Sequence, residues 1–208
     1  PLTPDNLLIV QEISVLGETF EDSRIKVSVG VTNQGMMPVD IGIRFLWDFQ
    51  IGTDDGPTFT TVNPAVGPFI NETQFLPEFD FFRIEDNDTP GVSPLFSVSG
   101  TIAGPTAFFP TVPDLVQFTA WGPAFGQAFT YPINPARAIA VPTLTGGDDS
   151  AVTYFFGPNP TNAITIGSGD TFTATQFIFA IPPNTNTPPV AEDDEATTAS
   201  DETININV

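Results

Sequence analysis

Residues 24–31, RIKVSVGV, alternate without exception: Ile25, Val27, Val29 and Val31 fall on one side, Arg24, Lys26, Ser28 and Gly30 on the other. A strict period of two is the signature of a half-buried β-strand. The segment 39–49 repeats it, with Val39, Ile41, Ile43, Phe45, Trp47 and Phe49 in one phase and Asp40, Arg44 and Asp48 in the other, and TNQGMMP (32–38) is the turn between. Further strands are predicted over 7–16, 96–102, 115–121, 138–144, 151–156 and 172–181. In the last, the apolar phase shifts from Phe172 and Ala174 to Phe177, Phe179 and Ile181, which predicts a bulge. No stretch of twelve residues holds a helical period, and 22 prolines and 17 glycines make long helices costly. The expected fold is all-β: an antiparallel β-sandwich of jelly-roll or super-sandwich type, with long loops and an extended C-terminal tail.

The loops expected between these strands are 52–69, 78–94, 103–114 and 122–135. They carry Phe79, Phe81, Phe82, Phe108, Phe109, Phe125 and Phe129, which are expected to cover the ends and faces of the sandwich. After residue 181 the composition changes, since PPNTNTPPVAEDDEATTA has no aromatic and is rich in Pro, Thr and acidic residues. The expected organisation is a sandwich domain over 1–181, a linker over 182–202 and a single strand over 203–208.

Charge and missing residue types bound the function. Five Lys and Arg stand against 25 Asp and Glu, a formal charge of -20 that repels phosphate backbones and anionic lipid. No nucleic acid partner is expected, and no apolar run approaches the roughly 20 residues that would insert in a membrane. The chain has neither Cys nor His, so the usual nucleophile–base arrangements and the preferred zinc and copper ligands are missing. Only carboxylate chemistry remains, and the chain is expected to be non-catalytic.

Carboxylates grouped in loops suit calcium, a hard cation that takes oxygen ligands from flexible turns. Three clusters qualify: Asp54 and Asp55 in IGTDDGP, Asp86 and Asp88 in IEDNDTPG, and Asp148 and Asp149 in TGGDDSA. None has the twelve-residue EF-hand spacing, and Asp and Asn also cap turns through their own backbone. Trp121, followed by GPAFGQAF at a strand end, is the candidate aromatic for stacking on a glycan, although the alternation leaves its ring free to face either solvent or core.

VTNQGMMPVDIGIRFLWDFQIGTDDGPTF (31–59) resembles a β-sandwich module of large secreted bacterial surface proteins, and residues 147–181 look like that module's closing strands. PPVAEDDEATTASDETININV (188–208) is similar to the opening of the cadherin-like and immunoglobulin-like repeats strung along giant bacterial adhesins. The resemblance implies calcium near Asp193 and Asp194. The closing strand Thr203, Ile204, Asn205, Ile206, Asn207 and Val208 is then either the first strand of a further repeat or a strand donated to another copy. These readings lead to an expected non-catalytic building block of an extracellular or cell-surface adhesin or self-assembling fibre. Its partners would be other copies or neighbouring repeats of the same polypeptide. A carbohydrate-binding module, with glycans as partners, is the alternative.

Overall fold

The computed structural model describes residues 6–19, 22–51, 55–85, 97–139, 149–159 and 162–181. Asp54, Asp86, Asp88, Asp148, Asp193, Asp194 and the segment 203–208 lie outside them, as do the predicted linker and most of the strand predicted over 138–144.

In chain order the strands are β1 (Leu7–Leu16), β2 (Arg24–Asn33), β3 (Val39–Ile41), β4 (Ile43–Asp48), β5 (Thr58–Val62), β6 (Val66–Phe69), β7 (Thr73–Phe75), β8 (Phe81–Glu85), β9 (Ser97–Thr101), β10 (Leu115–Ala120), β11 (Ser150–Phe156), β12 (Ile164–Ile166) and β13 (Thr171–Ile181). One short helix, α1 (Trp121–Phe125), follows β10. The strands form a seven-stranded sheet in the order β1-β2-β13-β9-β8-β5-β6, a four-stranded sheet β4-β11-β10-β7, and a ribbon β12-β3. Every pairing between these strands is antiparallel.

The two larger sheets close on an aromatic core, giving the expected antiparallel β-sandwich. Phe59 and Phe82 of the large sheet meet Phe118 of the small one, with the Phe59 and Phe118 rings stacked at 4.9 Å. Phe69 stacks on Phe118 at 5.2 Å, and Tyr154, wholly buried, donates its hydroxyl to the Thr101 carbonyl at 2.8 Å. Rings in these offset and edge-on arrangements add to the burial of their apolar area.

Five predictions are corrected. Segment 39–49 is two strands in different sheets, because the chain turns at Gly42, where a Cβ would stand 2.6 Å from Phe129 Cζ and 2.7 Å from the Gly157 carbonyl oxygen. The phase of alternation is the same on both sides of Gly42, so periodicity does not reveal the break. β13 has no bulge where it follows β2: the register runs unbroken from Thr171 to Phe179. Its phase changes because Phe108 covers the other face, at 5.5 Å from Phe177 and 5.2 Å from Phe179. The segments predicted as loops over 52–69 and 78–94 contain β5, β6 and β8, and the strand predicted over 115–121 stops at Ala120. Of the loop phenylalanines, Phe79 and Phe82 are core, but Phe109 and Phe125 are 85% and 63% exposed.

Candidate functional site

β4, β10 and β11 bring their ends together at one end of the small sheet. Asp48 closes β4 opposite Ala151 of β11, and Asp149 lies two residues before Ala151, so pleating places both carboxylates on the same, outward face. Asp55, just before β5, completes a triad whose carboxylate oxygens lie within 4.8 Å of one another. Asp55 and Asp149 were expected as cation ligands. Asp48 was read only as an outward position on a strand, and it is the pairing of β4 with β11 that makes it a member.

Three carboxylates so close disfavour full ionisation. Asp149 is pushed up to about 6, first by burial and then by the charges of Asp48 and Asp55 and by a hydrogen bond with Asp48. Asp48 is also raised, by partial desolvation and then by Asp55. One oxygen of Asp149, Oδ1, is buried with no hydrogen-bond partner among the described residues. Either a shared proton or a bound cation relieves such a cluster.

The backbone N–H of Trp121 donates to the carbonyl of Asp149 at 2.7 Å, carrying the β10–β11 ladder one residue further before the chain turns into α1. One helical turn later Phe125 stacks beneath the indole, with centroids 4.9 Å apart and planes 11° from parallel. The two rings form a half-exposed ledge anchored at the residue that also supplies the triad. Arg44, on the outward face of β4, fixes the ledge from below. It donates to the carbonyls of Ala124 and Gln127 at 2.8 Å each and of Phe129 at 3.0 Å.

At the opposite end of the small sheet a cleft of about 430 Å³ opens between Ile41, Phe129, Pro158 and Asn159, beside Asp40, whose carboxylate accepts from the Thr165 hydroxyl at 2.6 Å. Sequence reading missed a second carboxylate, Glu72, which is 2% exposed. It accepts from the Tyr131 hydroxyl, the Arg137 guanidinium and the backbone N–H groups of Ala120 and Asn134. No solvent reaches it, so it acts as a structural clamp.

The fold and site together define an all-β sandwich protein carrying a half-exposed aromatic ledge anchored at one of three clustered carboxylates. No family model matches the chain, and no curated protein matches it either. Among solved structures it is similar to a protein from Escherichia coli K12 described as an aldose 1-epimerase, at 11% identity and TM-score 0.46, over 85% of this chain and 65% of that one. It is also similar to a galactose mutarotase-like protein from Lactobacillus casei ATCC 334, at 11% identity and TM-score 0.38, over 83% of this chain and 63% of that one. The chain thus spans a little under two thirds of the length of either. Both descriptions name sugar chemistry, and neither names an adhesin or a fibre. The expectations of a non-catalytic chain and of an adhesin or fibre building block are corrected on this finding. At this degree of likeness no residue role passes from those proteins to this one.

Proposed function

We propose that this chain binds a neutral saccharide on the Trp121–Phe125 ledge, beside a calcium ion held by Asp48, Asp55 and Asp149. The observation that carries the reading is the Trp121–Phe125 stack, with Phe125 63% exposed and Trp121 half-buried, tied through the Trp121 N–H to Asp149 of the triad. The C–H face of a pyranose packs on an aromatic plane while its hydroxyls reach polar groups at the rim. A charge of -20 disfavours acidic and sulfated sugars. The triad offers hard oxygens from a strand end and two loops, the ligand type calcium takes, and Oδ1 of Asp149, without a partner among the described residues, is a free acceptor for it. An extracellular location accords with the resemblance of residues 31–59 and 147–181 to modules of secreted bacterial surface proteins. No helix among the described residues is long and apolar enough to cross a membrane.

The test uses indole fluorescence in a Trp47→Phe background, which leaves Trp121 as the reporter, with neutral mono- and oligosaccharides titrated in millimolar calcium. A shallow ledge of this size suits a Kd of about 0.1–1 mM. Trp121→Ala should remove calorimetric binding. A glycan array and calorimetry that find no neutral sugar would overturn the reading.

A second reading rests on the Asp48–Asp149 contact. Without a cation the pair shares a proton at a value near 6, which supplies an acid and a base beside a bound sugar. Polarimetry on a freshly dissolved anomer of a neutral aldose would show faster anomer exchange, abolished by Asp149→Asn. Exchange at the buffer rate removes this reading and leaves the binding site standing.

A further inference from the structure

We propose that two copies of this chain join through β1, strand to antiparallel strand, into a closed twofold dimer with one continuous sheet. β1 is the outermost strand of the seven-stranded sheet and runs ten residues in unbroken register with β2. Strands at sheet edges are ordinarily blunted by Pro, Lys, a bulge or shortness. The other edge of the same sheet, β6, is four residues long and contains Pro68. β1 has none of these devices: its sequence LLIVQEISVL holds no Pro and no Lys, and Glu12 is its single charge.

One face of this edge is apolar and open. Ile9, Gln11, Ile13 and Val15 share the face of their β2 partners Val31, Val29, Val27 and Ile25. Val27 and Val31 are core residues at 4% and 5% exposure, whereas Ile9, Ile13 and Val15 are 41%, 64% and 77% exposed. The apolar layer of the core therefore runs outward onto a strand that nothing covers among the described residues.

The occupant that fits is a second β1, because the strand is complementary to itself. A twofold axis perpendicular to the sheet through Gln11 sets Gln11 against Gln11 and Ile9 against Ile13 on the apolar face. On the other face it sets Val10 against Glu12 and Leu8 against Ser14. Opposed residues then point to the same side, and no two carboxylates meet. Of the possible axes, those at Gln11 and Glu12 pair the most of β1, nine residues each, and the second would oppose Glu12 with itself, so overlap and charge together select the register centred on Gln11. The surroundings agree: in a chain of charge -20, two of the five basic side chains, Arg24 and Lys26, stand on β2 directly behind this edge. The interface is isologous and closes at two copies, so it does not propagate.

Nine residues from each copy, 7–15, make a small interface, near the weak end of specific pairing, for which a Kd of about 10 µM is expected. Sedimentation of the full chain from about 5 to 200 µM should move the mass from 22.2 kDa to twice that. The dimer should tighten from about 0.05 to 0.5 M salt, as repulsion between the acidic bodies is screened. Ile13→Lys should remain folded by circular dichroism, its side chain being mostly exposed, and stay monomeric at all concentrations.

The chain has no cysteine, so Gln11→Cys provides a unique thiol. Directly opposed Cα atoms stand about 4.5–5.5 Å apart, within disulfide range, so mild oxidation should cross-link this variant, whereas Glu12→Cys, displaced by two residues from its copy, should not. A monomer at 200 µM, or a dimer that survives Ile13→Lys, overturns the proposal. So does cross-linking of Glu12→Cys in place of Gln11→Cys. A dimer abolished by Ile206→Lys would give the edge to segment 203–208 and overturn it as well.

Discussion

Arg137 reaches the carboxylate of Glu72 at 3.2 Å, and while a third of the arginine side chain is exposed, that of Glu72 has no exposure at all. The same carboxylate accepts the Tyr131 hydroxyl at 2.5 Å and the Asn134 N–H at 2.8 Å, tying the chain after α1 to β7 and β10. Burial, with Glu72 as acceptor, pushes the Tyr131 hydroxyl up to about 12, so it remains a donor at any working pH. Glu72→Ala would remove the acceptor of three donors, the Tyr131 hydroxyl and the Ala120 and Asn134 N–H groups, while Arg137 keeps Tyr131 and solvent. A loss of about 3–5 kcal/mol is expected by urea denaturation, with a smaller loss for Glu72→Gln, which keeps one acceptor oxygen.

Glycines at two positions should respond to very different degrees. At Gly100 of β9 a Cβ would stand 2.3 Å from Cζ and 2.4 Å from Cε1 of Phe82, a ring with no exposure in the middle of the core. Gly100→Ala should cost about 2–3 kcal/mol, since the ring has nowhere to move in a close-packed interior. At Gly122, inside α1, an added Cβ meets nothing within 4 Å. Gly122 precedes Pro123, whose ring disfavours helical backbone in a preceding residue that carries a Cβ, so Gly122→Ala should cost at most about 1 kcal/mol, and equal losses at the two sites would contradict this packing.

What was legible in the sequence was what alternates. β2 could be read almost to the residue, because its apolar and polar positions separate cleanly along the chain, and β1 because its apolar, β-branched run is bounded by Asn6 and Gly17. β5 could not, because its inward positions are Phe59 and Thr61, and a buried threonine breaks the apolar rhythm. β7 is three residues long, too short to show any period. Asp55 and Asp149 could be read as loop carboxylates. That Asp48 joins them depends on which strands pair and in what register, and alternation does not encode that. Glu72 carries no local mark of burial: its four partners come from β10 and from the segment 131–137.

The triad predicts a pH dependence of definite sign. A carboxyl raised from its unfolded value of about 4 to about 6 stabilises the fold fully below about 4, and that contribution is lost as the pH rises through 6. Asp22, held low by the Thr19 N–H and hydroxyl, acts in the opposite direction, so the comparison must be between variants. Asp149→Asn should melt higher than the parent chain above pH 7, and the difference should shrink towards pH 4. Millimolar calcium should raise the melting temperature of the parent at pH 7 and leave that of Asp149→Asn unchanged. Equal calcium responses in both chains would remove the cation from the triad.

Arg44 separates the ledge from the sandwich beneath it. Among the described residues its three hydrogen bonds go to the carbonyls of Ala124, Gln127 and Phe129, so the side chain serves to hold α1 and the turn after it against β4. A planar guanidinium reaches several carbonyls from one stem, whereas a lysine ammonium is a point donor on a flexible one. Arg44→Lys should therefore keep the sandwich folded, lose about 1–3 kcal/mol of stability, and weaken saccharide binding about tenfold by loosening Phe125 under Trp121. Calorimetry measures the binding, and the near-ultraviolet circular dichroism of the Trp121–Phe125 stack reports the loosening directly. If the stack signal falls and affinity does not, the sugar is bound elsewhere, and the cleft beside Asp40 and Phe129 becomes the place to look for it.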